Sequence, residues 1–299
     1  MRTIPRWVKT NPIYPRGRAA ILSLLGSPRF YNPISAVRLC VPEYEHWSKI
    51  ESLINEIYVV GEDDGVKIWH TPIGDLATPS TEIVDHTAFL IDEFQRNVYL
   101  SGPVRIVPGS IVLDIGANIG IFAKRAISAG ARQVVSIEPV PATVLALRWN
   151  LASEIAMNRA LILQMGVWDK SDALRFVVDA KRPGRSSCVE ASSEKDVYET
   201  TINVKPLDLI IKELDLPRAD FIKIDIEGAE LRALQGAREV LVGDKPQLAI
   251  AVEHTSDQFR NACLVRDLVL SINPAYRCIP GPYLTDSQRR LSPELLYFK

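Results

Sequence analysis

The segment DIGANIG, residues 114–120, combines residue types that suit the binding of a charged ligand. It follows the apolar run Ile111 to Leu113, so a strand would end where the segment begins. Gly116 and Gly120 predict a tight turn in which the backbone approaches a ligand without a Cβ atom. Asp114 would direct a carboxylate at that ligand. A carboxylate attracts a cationic amine and repels a pyrophosphate, because opposite charges attract at contact distance.

The glycine spacing separates two classes of cofactor. A dinucleotide loop has the pattern G-x-G-x-x-G, whereas this loop has G-x-x-x-G with an acid two residues before the first glycine. Glu138 ends the next apolar run, and an acid there can accept hydrogen bonds from both hydroxyls of a ribose. Both cofactor classes use that acid, so the glycine pattern decides. It favours S-adenosylmethionine as cofactor and argues against an NAD-linked oxidoreductase.

A lysine and an aspartate interrupt a later apolar run, Phe221 to Ile226. Read as a strand with a period of two, the run places Lys223 and Asp225 on one face. Burying either charge alone is costly, so the two groups either neutralise each other or take part in chemistry. Methyl transfer to an alcohol needs a base within hydrogen-bond reach of the hydroxyl. Asp225 and Lys223 are therefore candidate catalytic residues, and a purely structural ion pair is the alternative.

His254, directly after Glu253, ends the following apolar run and is the second candidate base, because histidine titrates near neutral pH. Glu227 is a further catalytic candidate. Asp225, Glu227 and His254 could instead bind a divalent metal through oxygen and nitrogen ligands. Their spacing indicates no coordination geometry, so we predict no metal.

The elements that must position these residues form an alternating pattern. Five short apolar runs alternate with amphipathic stretches, which is typical of βαβ units and a parallel sheet. The runs are Ile111 to Leu113, Val134 to Ile137, Leu161 to Met165, Phe221 to Ile226 and Leu248 to Val252. Helices are predicted over Pro141 to Ile155 and Ala229 to Leu241, where leucines recur at three- and four-residue spacing.

Two additions to this plan are predicted. Leu174 to Val178 and Thr201 to Lys205 have the composition of strands on either side of a polar excursion, Lys181 to Asp196. Near the C-terminus, Tyr276 to Ile279 and Leu295 to Phe298 predict an antiparallel hairpin that closes the sheet.

The N-terminal third differs in composition from the rest. Residues 1–42 contain seven basic residues, six prolines and no acid, which predicts a basic arm outside the core. Residues 43–100 form a predicted cap, with strands at Ile57 to Val60 and Val66 to Trp69 and a helix near Val84 to Phe94. The predicted cofactor domain is 101–299.

Bulk properties exclude several classes of partner. The 299 residues carry a net charge of −1, so no overall field attracts nucleic acid. No apolar run approaches the roughly 20 residues that span a bilayer, so no membrane is expected. The four cysteines form no CxxC pair, which favours a reducing compartment and a cytoplasmic location.

The sequence resembles the FkbM-type methyltransferases over roughly residues 93–253. The similar segments are VLDIGANIG (112–120), IEP (137–139), LD (207–208) and, most specific, IKIDIEGAE (222–230). The resemblance implies a class I, Rossmann-like methyltransferase fold: a doubly wound, mostly parallel α/β sheet. It also implies S-adenosylmethionine as methyl donor and O-methylation of a hydroxyl on a sugar or secondary metabolite.

The resemblance also implies roles for individual residues. Those at the cofactor would be Asp114, Gly116, Asn118, Gly120 and Glu138, with Gly166, Val167 and Trp168 beside the adenine. Core packing explains Trp168 equally well. The N-terminal 80 residues have no part in the match, so they are candidates for acceptor specificity. An N-methyltransferase acting on a small molecule or peptide, a non-catalytic binding module, and a homo-oligomer all stay open.

Overall fold

The computed structural model describes residues 43–179, 197–285 and 291–299. The predicted basic arm, 1–42, and the polar excursion, 181–196, lie outside the described residues. Within the described ranges, no helix combines the length and the apolar character needed to cross a membrane. Cys263 and Cys278, the two cysteines in these ranges, are not joined in a disulfide.

The N-terminal region folds as helices packed beside a three-stranded antiparallel sheet, and strands and a helix lie where the sequence predicts them. The structure adds a first helix and a third strand. The elements are α1 (Glu43–Glu56), β1 (Tyr58–Asp63), β2 (Val66–His70), β3 (Leu76–Pro79), α2 (Val84–Arg96) and a 3-10 turn (Val98–Leu100).

The remaining elements alternate between strands and helices. The first half comprises β4 (Ile111–Ile115), α3 (Ile121–Ser128), β5 (Gln133–Ile137), α4 (Pro141–Asn150), α5 (Ala152–Ala156), β6 (Ala160–Leu163) and β7 (Gly166–Val167). The middle comprises β8 (Asp172–Asp179), β9 (Val197–Lys205), α6 (Leu207–Glu213), β10 (Phe221–Ile224), α7 (Glu230–Gln235) and α8 (Arg238–Gly243). The end comprises β11 (Gln247–Ala251), α9 (Gln258–Ile272), β12 (Cys278–Pro280), β13 (Tyr283–Thr285), β14 (Leu291–Pro293) and β15 (Leu295–Phe298).

The central sheet of the described chain has the strand order β6-β5-β4-β10-β11-β15-β12. Strands β6, β5, β4, β10 and β11 pair in parallel, whereas β15 runs antiparallel to both β11 and β12. The predicted mostly parallel, doubly wound sheet with an antiparallel C-terminal pair is confirmed. The strand order reverses between β4 and β10, so a crevice opens at their carboxyl ends.

Helices cover both faces of this sheet. Ile222 and Ile224 belong to one buried cluster, which β10 shares with α6 through α9. Phe221 belongs to the cluster on the opposite face, with residues of α3 and α4. This alternation is the period of two expected for β10, and it leaves Lys223 on the face of Phe221.

The single helix predicted over Ala229 to Leu241 is wrong, because the structure has two helices there, α7 and α8. They are separated at Gly236, where an added Cβ would collide with the carbonyl oxygen of Trp168. Asp208 lies outside α8 and caps the N-terminus of that helix. Its two carboxylate oxygens accept the backbone N–H groups of Glu239 at 2.9 Å and Val240 at 3.0 Å. Close packing and a distant cap therefore override the local periodicity.

The N-terminal region is joined to the sheet through side chains as well as through the chain. The Asn150 amide at the end of α4 bonds both the N–H and the carbonyl of Ala77 in β3, each at 2.8 Å. Ile119, from the loop after β4, lies in the same buried cluster as Ile91 of α2. Helix α2 is thereby held over that loop. The boundaries proposed at residues 42 and 100 stay predictions.

Candidate functional site

Two cavities meet at the carboxyl ends of β4 and β10. The strand-edge cavity, of about 710 Å³, is bounded by the residues that follow β4, β5, β6 and β10 and by β8 and β9. The α2 cavity, of about 520 Å³, lies between α2 and the loop that joins β4 to α3. Gly116, Asn118 and Asp225 line both cavities. The two cavities therefore adjoin at the glycine loop, in the crevice predicted by the topology.

The glycine loop is held against the ends of its neighbouring strands. The backbone N–H groups of Gly116 and Ala117 both donate to the carbonyl of Ile137, at 2.9 and 3.1 Å. Gly116 has a φ of +74°, and a Cβ there would collide with the carbonyl oxygen of Asp225. Only glycine permits this approach between the ends of β4 and β10.

Glu138 lies on the wall of the strand-edge cavity, where the sequence places an acid. Its carboxylate accepts the backbone N–H groups of Asn118 at 3.0 Å and Val140 at 2.9 Å. Burial raises the pKa of Glu138 to about 7, although these hydrogen bonds favour the charged form. The side chain thus both fixes the glycine loop and presents an acid to the cavity.

Asp114 and Gly120 do not lie on the described wall of either cavity. Asp114 is fully buried and faces the ammonium of Lys223, 3.3 Å away. Burial raises the pKa of Asp114 to about 6, and Lys223 opposes that rise. Gly120 has no room for a Cβ because the Leu147 side chain of α4 packs against it. Lys223 is thus the charged partner of Asp114 in this structure, and the contact of Asp114 with a cofactor amine stays a prediction.

Lys223 connects the ends of β4 and β10. Its ammonium donates to the carbonyl of Gly116 at 2.5 Å and lies 3.8 Å from Asp225. It also lies 5.2 Å from the centre of the Tyr99 ring. The ion pair expected between Lys223 and Asp225 is thus longer than the pair that Lys223 makes with Asp114, and Lys223 shares its charge between the two acids.

Asp225 is at the centre of a hydrogen-bonded group. One carboxylate oxygen accepts the Tyr99 hydroxyl at 2.6 Å, and the other lies 2.7 Å from Nε2 of His254. Burial alone would raise the pKa of Asp225, but Lys223 and His254 together hold it below its ordinary value. Asp225 is therefore a fixed anion rather than a group that takes up a proton near neutral pH.

His254 has a carboxylate against each ring nitrogen. Its Nδ1 lies 3.1 Å from Glu227, opposite the contact with Asp225. Burial disfavours the charged ring, yet Glu227 and Asp225 raise the pKa of His254 well above its ordinary value. A ring that donates from both nitrogens has no lone pair for a substrate proton. The geometry therefore does not suit His254 as the general base.

The turn after β10 directs Glu227 toward His254. Glu227 and Gly228 both have positive φ, at 53° and 97°. The buried Glu230 side chain accepts the backbone N–H groups of Ile226 at 3.3 Å and Gly228 at 3.1 Å. The acid in the GAE part of the motif therefore stabilises the turn and does not itself line either cavity.

Gly166, Val167 and Trp168 line the far end of the strand-edge cavity, as the resemblance implies for an adenine pocket. Trp168 also packs against the small buried cluster that contains Val140 and Phe176. The indole therefore serves the core and the cavity wall together.

Two residues of the site were not predicted: Glu93 in α2 and Tyr99 in the 3-10 turn that follows it. Glu253 was placed beside His254 at the end of β11, but no role was predicted for it. Burial raises the pKa of Glu93 to about 7 and that of Glu253 to about 8, and neighbouring carboxylates add to both shifts. Glu93 and Tyr99 lie more than 120 residues from Asp225 along the chain, and no local pattern could bring them there.

The described residues contain no group of three or more His, Cys, Asp or Glu side chains that could hold a metal ion. Asp225, Glu227 and His254 do come together, but as an imidazole between two carboxylates.

The strand order, the antiparallel strand β15 and the acid-lined crevice at the switch point define a class I methyltransferase fold. The family model of the methyltransferase FkbM domain matches residues 114–275. This chain belongs to the FkbM methyltransferase family.

Two curated relatives of this chain are named as methyltransferases. Methyltransferase sdnD of Sordaria araneosa is 28% identical over an alignment that covers 43% of this chain and 60% of that protein. The 2-O-methyltransferase NoeI of Sinorhizobium fredii is 22% identical, with 58% of this chain and 74% of that protein covered. The crystal structure of methyltransferase FkbM from Methylobacillus flagellatus aligns with a TM-score of 0.49 and 20% identity, covering 89% of this chain and 65% of that one. The chain thus spans about three fifths of the length of sdnD. The family match and the two named relatives support methyltransferase function.

Proposed function

We propose that this protein transfers a methyl group from S-adenosylmethionine to a hydroxyl of a small acceptor, such as a sugar unit or a secondary metabolite. The observation that carries the proposal is the strand-edge cavity. Its wall contains the buried acid Glu138, the loop glycine Gly116 and the acids that follow β10. When bound, S-adenosylmethionine supplies an electrophilic methyl group on a positively charged sulfur.

The residues present fit this cofactor. Gly116 leaves the loop without a side chain at the junction of the two cavities, where the sulfur would lie. Asp225 lines that junction and Glu227 lines the strand-edge cavity beside it, and fixed carboxylates favour a sulfonium cation there. Glu138 would accept the ribose hydroxyls, and Trp168 would form an apolar wall for the adenine.

The acceptor is proposed to enter from the side of Asp225 and His254. The chain would chiefly hold the acceptor oxygen close to the methyl group and in line with it, because alignment supplies much of the rate in a displacement. Support for an oxygen acceptor comes from NoeI, a 2-O-methyltransferase. A reducing, cytoplasmic location is part of this proposal, because the four cysteines of the sequence form no CxxC pair.

The test combines ligand binding with product analysis. Calorimetry should show binding of S-adenosylmethionine and none of NAD. Mass spectrometry of a panel of hydroxylated acceptors should then show a gain of one methyl group on oxygen. Binding of NAD without S-adenosylmethionine would overturn the cofactor assignment. Methyl groups found on nitrogen would overturn the acceptor class, and binding without transfer to any acceptor would favour a non-catalytic module.

A further inference from the structure

In this structure, the acid that the sequence suggests for the amine of the proposed cofactor is paired with a lysine. S-adenosylmethionine ends in an α-amino acid, so it carries an ammonium as well as a sulfonium. Asp114, the acid expected there, is fully buried against Lys223 and lies off the described wall of both cavities. The other acids that line the cavities are therefore candidate partners of the ammonium.

Four carboxylates line the two cavities in the described part of the chain: Glu93, Glu138, Asp225 and Glu227. The last three are engaged by donors of the protein. Glu138 accepts two backbone N–H groups. Asp225 accepts the Tyr99 hydroxyl and contacts His254, and Glu227 contacts the other nitrogen of that ring.

Glu93 differs from these three acids, because the hydroxyl that it contacts donates its only proton to another carboxylate. Glu93 contacts the Tyr99 hydroxyl, but that hydroxyl donates to Asp225 at 2.6 Å. A phenol has one proton, so Tyr99 cannot also donate to an ionised Glu93. Lys223 lies nearby, but its closest contacts are the Gly116 carbonyl and Asp114. An ionised Glu93 can therefore accept a hydrogen bond from a cationic group of a ligand.

The α2 cavity also contains a positive group for the other end of an amino acid. The Arg125 guanidinium lines this cavity and stacks 3.9 Å from the centre of the Phe94 ring. One of its terminal nitrogens donates to the Phe94 carbonyl at 2.9 Å. The cavity therefore presents an acid on α2 and a cation on α3, which matches a group that carries one charge of each sign.

We propose that Glu93 binds the ammonium of the cofactor's amino-acid end in the α2 cavity, with the carboxylate of that end directed toward Arg125. This assignment rests on the proposed function. The adenosyl part would occupy the strand-edge cavity, and the amino-acid chain would pass Gly116, which both cavities share.

Two probes separate the amino-acid end from the rest of the ligand. S-adenosylhomocysteine has the adenosine and the amino acid, whereas 5′-methylthioadenosine has the adenosine and lacks the amino acid. Glu93→Gln should weaken binding of S-adenosylhomocysteine by about 10- to 100-fold, the effect of one charge-assisted hydrogen bond. It should leave binding of 5′-methylthioadenosine unchanged. Asp85→Asn, an exposed acid on the same helix, is the matched control and should change neither affinity.

A second measurement uses only the parent protein. Burial and Asp225 raise the pKa of Glu93 to about 7, although Lys223 lowers it; Tyr99 and Glu294 also face this group. At pH 7 about half of the molecules would therefore carry a proton on Glu93. Calorimetry in buffers of different ionisation enthalpy should show that S-adenosylhomocysteine releases up to about half a proton more than 5′-methylthioadenosine does.

The outcomes distinguish this assignment from the proposed function. If the parent binds neither probe, the cofactor itself is wrong and the role of Glu93 is wrong with it. If the parent binds both and Glu93→Gln weakens both equally or neither, the cofactor stands and the role of Glu93 is overturned. Should the variant fail to fold, equal proton release by the two probes would overturn the assignment from the parent alone.

Discussion

At the scale of single residues, the site consists of buried and partly buried charges in ion pairs. Lys223 forms ion pairs with Asp114 and Asp225, and His254 forms ion pairs with Asp225 and Glu227. A buried charge that loses its partner destabilises the fold, so the stability lost in each variant should indicate which ion pair the substitution breaks.

Asp225→Asn should lower turnover strongly and should lower the free energy of unfolding only moderately. The change removes the anion beside the proposed sulfonium, and loss of such a group typically lowers turnover about 10²- to 10³-fold. Lys223 keeps Asp114 at 3.3 Å, so the free energy of unfolding should fall by less than about 3 kcal/mol. Asp114→Asn is the comparison: it removes the closer partner of Lys223 and should cost about 3 to 5 kcal/mol. Turnover assays and chemical denaturation would decide, and the reverse order of stability losses would contradict this account.

His254→Gln should lower turnover by the same factor at pH 6 and pH 8. The ring is held charged by Glu227 and Asp225, so it does not titrate near 6.5 in the parent. The pH–rate profiles of parent and variant give the measurement, and His70→Gln, at an exposed histidine, is the control. A rate loss at low pH in the parent that disappears in His254→Gln would instead make His254 the base.

At the scale of elements, close backbone approaches fix the geometry of the site. The glycine loop touches the end of β10 at Gly116, and the break between α7 and α8 touches the strand-edge cavity wall at Trp168. Neither approach tolerates a Cβ atom. The position of Trp168, the proposed adenine wall, therefore depends on close packing against the helix break at Gly236.

Gly236→Ala should destabilise the fold. A Cβ there would collide with the Trp168 carbonyl and lie 3.0 Å from Cα of Pro206, so backbone must move. Overpacking of this kind typically costs about 1 to 3 kcal/mol. Gly243→Ala is the matched control, because no atom lies within 4 Å of its added Cβ. Thermal melting of both variants gives the measurement, and equal melting temperatures would show that the collision is relieved at no cost.

At the scale of the whole molecule, several partly or fully buried acids lie at or near the two cavities. Glu93 and Glu253 have pKa values raised to about 7 and about 8, chiefly by burial. The fold maintains these acids at a cost in stability near neutral pH, and a cationic ligand would offset that cost.

The ligand-free protein should melt at a lower temperature at pH 8 than at pH 5.5. Between these values the folded chain retains protons on Glu93 and Glu253 that the unfolded chain releases near its ordinary pKa of 4.5. Stability falls with rising pH wherever the folded state binds more protons. His254, with a raised pKa, contributes in the same direction. Glu93→Gln should flatten the dependence, and a melting temperature that rises across this window would contradict it.

Removal of residues 1–30 should leave the affinity for S-adenosylmethionine unchanged. In the part of the chain that the structure describes, the residues that line the two cavities all lie between Leu90 and Ala229. Calorimetry on the shortened chain gives the measurement. Lost turnover with intact binding would assign the arm to the acceptor, whereas lost binding would contradict the predicted boundary of the cofactor domain.

The sequence alone determined the sheet and the position of the cavity. Alternating apolar runs identify β4, β5, β6, β10 and β11, because a parallel strand covered on both faces is apolar throughout. Gly116 and Glu138 follow β4 and β5, so their place at the carboxyl edge is a consequence of strand order. These inferences use only local periodicity and the chain topology that it implies.

Tertiary structure alone decided how the charges are shared. Whether Asp114 faces a ligand or Lys223 depends on contacts across two strands, and whether His254 is neutral depends on Asp225 and Glu227 together. Glu93 and Tyr99 reach the site only because α2 packs over the glycine loop through Ile91 and Ile119. Charge interactions act through space over a few ångströms and do not follow separation along the chain, so no sequence pattern encodes them.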